Sequence, residues 1–192
     1  MSSRDEGVWI MVDPGTWSHG VVVIADGVVV HANHAESLDN LHLTLRHTQY
    51  GTVLVERVQA HGMAGNDVML TCEHSADFRR LAIESGHDTH RIYRRHVKQA
   101  LDVRGKSSDA IIRARLCEEF GASAFDNGKA CPKRKNKSHG DDCAICGGSG
   151  MEREPGRFAG VKSHAIQALA LWLAFDHGAR EVVHERPKKG KR

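Results

Sequence analysis

Two acidic residues stand where apolar strands should end. "VWIMVDPG" (8–15) has the character of a buried strand stopped by Pro14-Gly15, and Asp13 is its last residue before the stop. "TVLVE" (52–56) is a second short apolar strand, and it ends on Glu56. Taken singly, Asp13 is a turn residue before Pro14 and Glu56 is a strand-end charge beside Arg57. A buried carboxylate without a partner is costly, however. If the two strands are neighbours, both carboxylates reach one sheet edge and repel unless a cation lies between them. Mg²⁺ binds in this manner, with waters and phosphate oxygens completing its shell.

A second group of possible ligands lies in "CPKRKNKSHGDDCAICGGSG". Cys131, His139, Cys143 and Cys146 follow the spacing C-x7-H-x3-C-x2-C within 16 residues. Four N/S ligands so close together suit tetrahedral Zn²⁺, and with all four positions taken by protein the zinc would be structural. A loop this polar has little core, so the metal would supply its fold. The alternative is a disulfide or unpaired thiols, which a reducing compartment disfavours. Lys133, Arg134, Lys135 and Lys137 ride between the first ligands and would present a basic finger to phosphates. Cys72 and Cys117 fall on helical patterns and read as small buried apolar residues.

The elements that must position these residues can be traced along the chain. "GVVVIADGVVVHANHA" (20–35) is two β-branched runs around Ala25-Asp26-Gly27, so the first three strands form an antiparallel meander. Leu38, Leu41 and Leu45 mark a helix over 36–50. After the 52–56 strand comes a looser helical pattern over about 64–85 with Gly86 as its cap, then a strand in "THRIYR" (89–94). "KSSDAIIRARLCEEFG" (106–121) is a helix capped by Ser107 or Ser108, with Ile111, Leu116 and Phe120 as its stripe and Asp109 favoured by the helix dipole in its first turn. Residues 126–157 lack periodicity. "GVKSHAIQALALWLAFDHG" (160–178) is an apolar, core-type helix. Three strands followed by alternating helices and strands make a mixed α/β layer fold.

Composition narrows the class of partner. The 192 residues are 40% hydrophobic and 27% charged, which suits one soluble domain with a real core. The first residues lack a signal-peptide pattern, and the apolar runs are too short to span a bilayer. The expectation is a soluble cytoplasmic protein with no membrane association. Charge is uneven: residues 1–90 hold 5 Lys/Arg against 12 Asp/Glu, and residues 91–192 hold 22 against 12. Several basic clusters in one half point to a polyanion such as nucleic acid. "YRRHVK" (93–98) fits a DNA-backbone patch, and the 181–192 tail is expected to be disordered and to add salt-dependent affinity. Most of the 14 His show no ligand spacing and read as surface or hydrogen-bonding residues; His19 reads as a loop residue near Asp13.

Four blocks together resemble RuvC-like Holliday-junction resolvases of the RNase H-like nuclease superfamily. "MVDPGTWSHGVVVIADG" resembles their first hairpin and "VLVERVQAHGM" their second acidic strand. "RIYRRHVKQALDVRGKSSDAIIRARL" resembles their basic loop and following helix, and "SHAIQALALWLAF" their last helix. The resemblance implies an RNase H-like mixed sheet and two-metal phosphodiester hydrolysis with Mg²⁺ or Mn²⁺. Asp13 and Glu56 would be metal ligands, while Lys98 and Lys106 would hold a phosphate or developing charge. In the last helix the family carries two acids, or a His and an Asp, three apart; this chain has His164 and Gln167. Residues i and i+3 share a helix face, so His164 can still ligate a metal or act as general acid or base. Gln167 is a poorer Mg²⁺ ligand.

The resemblance also implies a homodimer through the helix after Glu56, with branched DNA as partner. Residues 1–180 would form the nuclease domain, interrupted by 126–157 as a zinc-binding insertion. That insertion fits a bacteriophage or mobile-element member acting in the bacterial host cytoplasm. Two alternatives stand beside this reading. One is an inactive junction-binding module of the same fold. The other is a nuclease for flaps or RNA–DNA hybrids.

Overall fold

The computed structural model describes residues 7–48, 50–58, 65–103, 108–126, 129–130, 151–153 and 156–179. Strands β1 (Val8–Asp13), β2 (His19–Ala25) and β3 (Val28–Glu36) form the expected meander. Asp26 and Gly27 turn β2 into β3, and both take positive φ (49° and 78°), the conformation of a tight turn matched to strand twist. Helix α1 (Leu38–His47) starts at Ser37, whose hydroxyl accepts from the Asn40 N–H, and buries Leu41 and Leu45. It leads to β4 (Thr52–Arg57), α2 (Asn66–Glu84) and β5 (Asp88–Tyr93). The sheet order is β3-β2-β1-β4-β5, antiparallel within the meander and parallel from β1 through β4 to β5.

Alternation along the strands divides the core into two halves. Ile10, Val12, Val53 and Val55 face α1 and α2, where Leu41, Leu45, Phe78 and Leu81 meet them. Met11, Val22, Leu54 and Ile92 face the other side, covered by α4 (Asp109–Phe120) and α5 (His164–Asp176). Every residue of α5 from Ala165 to Ala174 is buried, because the sheet lies under one face and α4 against another. An all-round apolar sequence is what such a helix requires. Asp13 falls on the Met11 face and Glu56 on the Leu54 face, so period two sends both carboxylates to the α5 side.

Several local expectations are corrected. Residues 94–100 form a helix, α3 (Arg94–Ala100), directly after β5. Seven residues are too few to display a helical period, and α3 meets the core through buried Val97 and partly buried Ala100. In α4 one member of the expected stripe changes: Ile112 is fully buried and Ile111 exposed, whereas Leu116 is buried and Phe120 packs on the core as expected, and Ser108 is the residue whose hydroxyl caps the helix. Helix α5 begins at His164, because Ser163 at φ 49°, ψ −131° cannot continue a helix backwards. Within 126–157, β6 (Lys129–Ala130) and β7 (Met151–Arg153) pair antiparallel. Cys72 and Cys117 are half-buried rather than buried. Lys106, the proposed zinc ligands Cys131, His139, Cys143 and Cys146, and the 181–192 tail lie outside the described residues.

Candidate active site

The carboxyl ends of three adjacent parallel strands build the site, a common place for ligands in α/β sheets. Val12 pairs with Val55 in the β1–β4 register, so Asp13 and Glu56 come next, side by side. Ile92 of β5 pairs with Glu56 in turn, and Arg94 follows two residues later as the first residue of α3. Both carboxylates are buried, each residue 4% exposed. The backbone under Glu56 is fixed by α2, whose Ser75 hydroxyl donates to the Glu56 carbonyl at 2.7 Å.

Gly20 lets the fourth wall approach. It pairs with Asp13 across β1 and β2, and the His164 backbone lies directly over it. A Cβ at position 20 would overlap the His164 carbonyl and fall 2.8 Å from the His164 Cβ. The missing side chain therefore brings the start of α5 onto the sheet edge. His164 then places Nδ1 3.2 Å from Asp13 Oδ2 with its ring half exposed to solvent, while Gln167, one turn on, is buried.

The loop after Asp13 is held from both sides by histidines. The Gly15 N–H donates to His19 Nδ1 at 3.2 Å, and His74 Nδ1 lies 3.2 Å from the Gly15 carbonyl, to which it donates. His19 is buried at the start of β2, packed edge-on against His74 and Phe78. A ring nitrogen that accepts a hydrogen bond is unprotonated. Burial, reinforced by His74, keeps the imidazole neutral and pushes its pKa down to about 4, against the pull of Asp13 and Glu36.

Arg94 occupies the middle of the cluster. Its Nε donates to Glu56 Oε1 at 2.8 Å, one terminal nitrogen lies 3.5 Å from Asp13 Oδ1, and the other donates to Gln167 Oε1. Among the described residues no donor reaches the buried Glu56 Oε2. Burial first, and the Asp13 charge second, push Glu56 up to about 8, with Arg94 opposing both. A buried acid pair with an oxygen lacking a donor has the chemistry to hold a hard divalent cation. Among the described residues no group of three or more His, Cys, Asp and Glu side chains is placed to hold a metal ion by itself.

Of the residues singled out in the sequence, the fold brings Asp13, Glu56, His164 and Gln167 together. Lys98 lies on α3 four residues after Arg94, on the same helix face. Arg94 itself was legible only as part of the basic run 93–98. What selects it is the placement of β5 beside β4, a non-local pairing that local pattern does not encode.

No protein-family model matches the chain, and no curated protein matches it. Among solved structures, the chain is similar to Thermus thermophilus RuvC, with a TM-score of 0.53, 16% identity, and 88% of this chain and 93% of that one covered. It is also similar to T. thermophilus RuvC in complex with Holliday junction substrate, with a TM-score of 0.50, 16% identity, and 90% and 94% covered. The fold is thus RuvC-like, of the RNase H-like mixed α/β kind.

Proposed function

We propose that this chain is a divalent-metal-dependent, structure-selective endodeoxyribonuclease that cuts branched DNA such as Holliday junctions. The observation that carries the reading is the buried meeting of Asp13 and Glu56 at the ends of two neighbouring parallel strands in a RuvC-like fold. Asp13 and Glu56 would hold Mg²⁺ or Mn²⁺, with His164 beside Asp13 as a further ligand or as the group that moves a proton on the attacking water. In a two-metal reaction of this type the ions lower the pKa of the attacking water and stabilise the departing 3′ oxygen. Gln167 contributes a carbonyl and no charge. Lys98, and Lys106 in the segment after α3, would bind the phosphate backbone and set its register.

Three parts of the proposal reach beyond the acidic pair. Cys131, His139, Cys143 and Cys146 would hold a structural Zn²⁺, a reading that rests on their spacing. Elemental analysis should find about one zinc per chain, and a gently purified chain without it would remove this claim. A homodimer would use α2, which leaves Val68, Met69 and Ile83 exposed. A phage or mobile-element origin remains a proposal resting on the insertion alone.

The neutral Gln167 favours one second reading, an RNase H-like module that binds junctions without cutting. A panel of four-way junction, flap and RNA–DNA hybrid, each with Mg²⁺ and with EDTA, separates the readings. The expected outcome is Mg²⁺-dependent cutting of the junction above the other two. Tight junction binding with no cutting would support the binding module, and preferred cutting of flap or hybrid would reassign the substrate.

A further inference from the structure

Arg94 makes all its described contacts with groups that a metal ion at this site would also use. It takes one oxygen each from Asp13, Glu56 and Gln167, and it comes from the helix that starts at the adjoining strand end. Its side chain is 37% exposed, whereas those of Asp13 and Glu56 are 5% and 6% exposed. The acids are therefore fixed in the wall of the site, and the cation sits at its mouth with room to leave. Among the described residues no donor reaches Glu56 Oε2, so the acid pair keeps an oxygen that Arg94 does not serve.

We propose that Arg94 is a built-in competitor for the divalent ion. In the metal-free protein it holds the oxygens of Asp13 and Glu56, and an ion reaches them by displacing the guanidinium outwards. The site then loads metal more weakly than its two acids alone would allow, because removing a charged partner from buried carboxylates is costly. The inference rests on the metal-site reading above, and its test keeps the two apart.

The test is Mn²⁺ binding to the full chain without DNA, measured by titration calorimetry or electron paramagnetic resonance at neutral pH. Wild type, Arg94→Gln, Arg94→Lys and Asp13→Asn are compared, with circular dichroism to confirm folding. The expected result is at least tenfold tighter Mn²⁺ binding by Arg94→Gln. Arg94→Lys, which keeps the charge but loses the planar fork, should stay nearer to wild type than Arg94→Gln does. Asp13→Asn should bind poorly. If Arg94 only braces the fold, both Arg94 variants would bind Mn²⁺ more weakly or unchanged, and the proposal falls while the metal site stands. Binding by none of the proteins would overturn the metal site and this inference together. Should Arg94→Gln fail to fold, Arg94→Met with the same tenfold criterion replaces it, and the failure of both to fold would assign Arg94 to structure.

Discussion

At Glu56, burial and the neighbouring Asp13 carboxylate favour the neutral acid, and Arg94 is the one described group that works against them. The consequence for stability has a definite sign. The unfolded chain ionises this residue near 4.5, and the metal-free folded protein near 8. Between those values the folded state holds a proton that the unfolded state has lost, so stability falls as pH rises through the window. Glu56→Gln cannot ionise and retains an acceptor for Arg94. Thermal unfolding in EDTA at pH 8.5 should find Glu56→Gln more stable than wild type by about 1–3 kcal/mol, several degrees in Tm, with no advantage at pH 4. A lower Tm for the variant at pH 8.5 would mean that Glu56 is not held against its charge. Such instability is common where a protein keeps a buried charge for a ligand. Asp13 and Glu56 were legible as the ends of apolar strands, a local signal, whereas His164 and Gln167 were picked out through the resemblance of the last helix to RuvC-like resolvases. Arg94 was not, since nothing in "YRRHVK" distinguishes one arginine from the next.

At the scale of elements, the site depends on how closely α5 lies on the meander. Gly20 permits that approach, and it sits opposite Asp13 in the hairpin. Gly20→Ala should lift the start of α5, move His164 from Asp13, and cost about 2–4 kcal/mol. Junction cutting should fall by more than tenfold. Unchanged Tm and unchanged cutting together would show that α5 can give way without loss. The meander, β4, β5 and the long helices were legible from alternation, Leu spacing and the Asp26-Gly27 turn. The short α3 was not, because tertiary packing of Val97 and Ala100 rather than sequence period holds it. The exchange of Ile111 for Ile112 in α4 has a similar origin. Two adjacent isoleucines, at 111 and 112, offer two candidates, and packing against α5 chooses between them.

Across the whole molecule, the acidic first half supplies the meander and both acids, while the basic second half supplies α3, α4 and the segment carrying the cysteines. Binding to branched DNA should then weaken steeply with salt. If three or more phosphates are neutralised, affinity should drop on the order of 10–100-fold between 50 and 200 mM salt. A flat salt response would place recognition elsewhere than on the phosphate backbone. The likeness to the RuvC structures is one of fold, at 16% identity. The most direct test of the central claim is cleavage of a synthetic four-way junction in Mg²⁺ by wild type and by Asp13→Asn, with binding measured in parallel. The account expects cutting by wild type, at least 100-fold less by Asp13→Asn, and junction binding by both. Equal cutting by the two proteins, or binding without cutting by wild type, would contradict it.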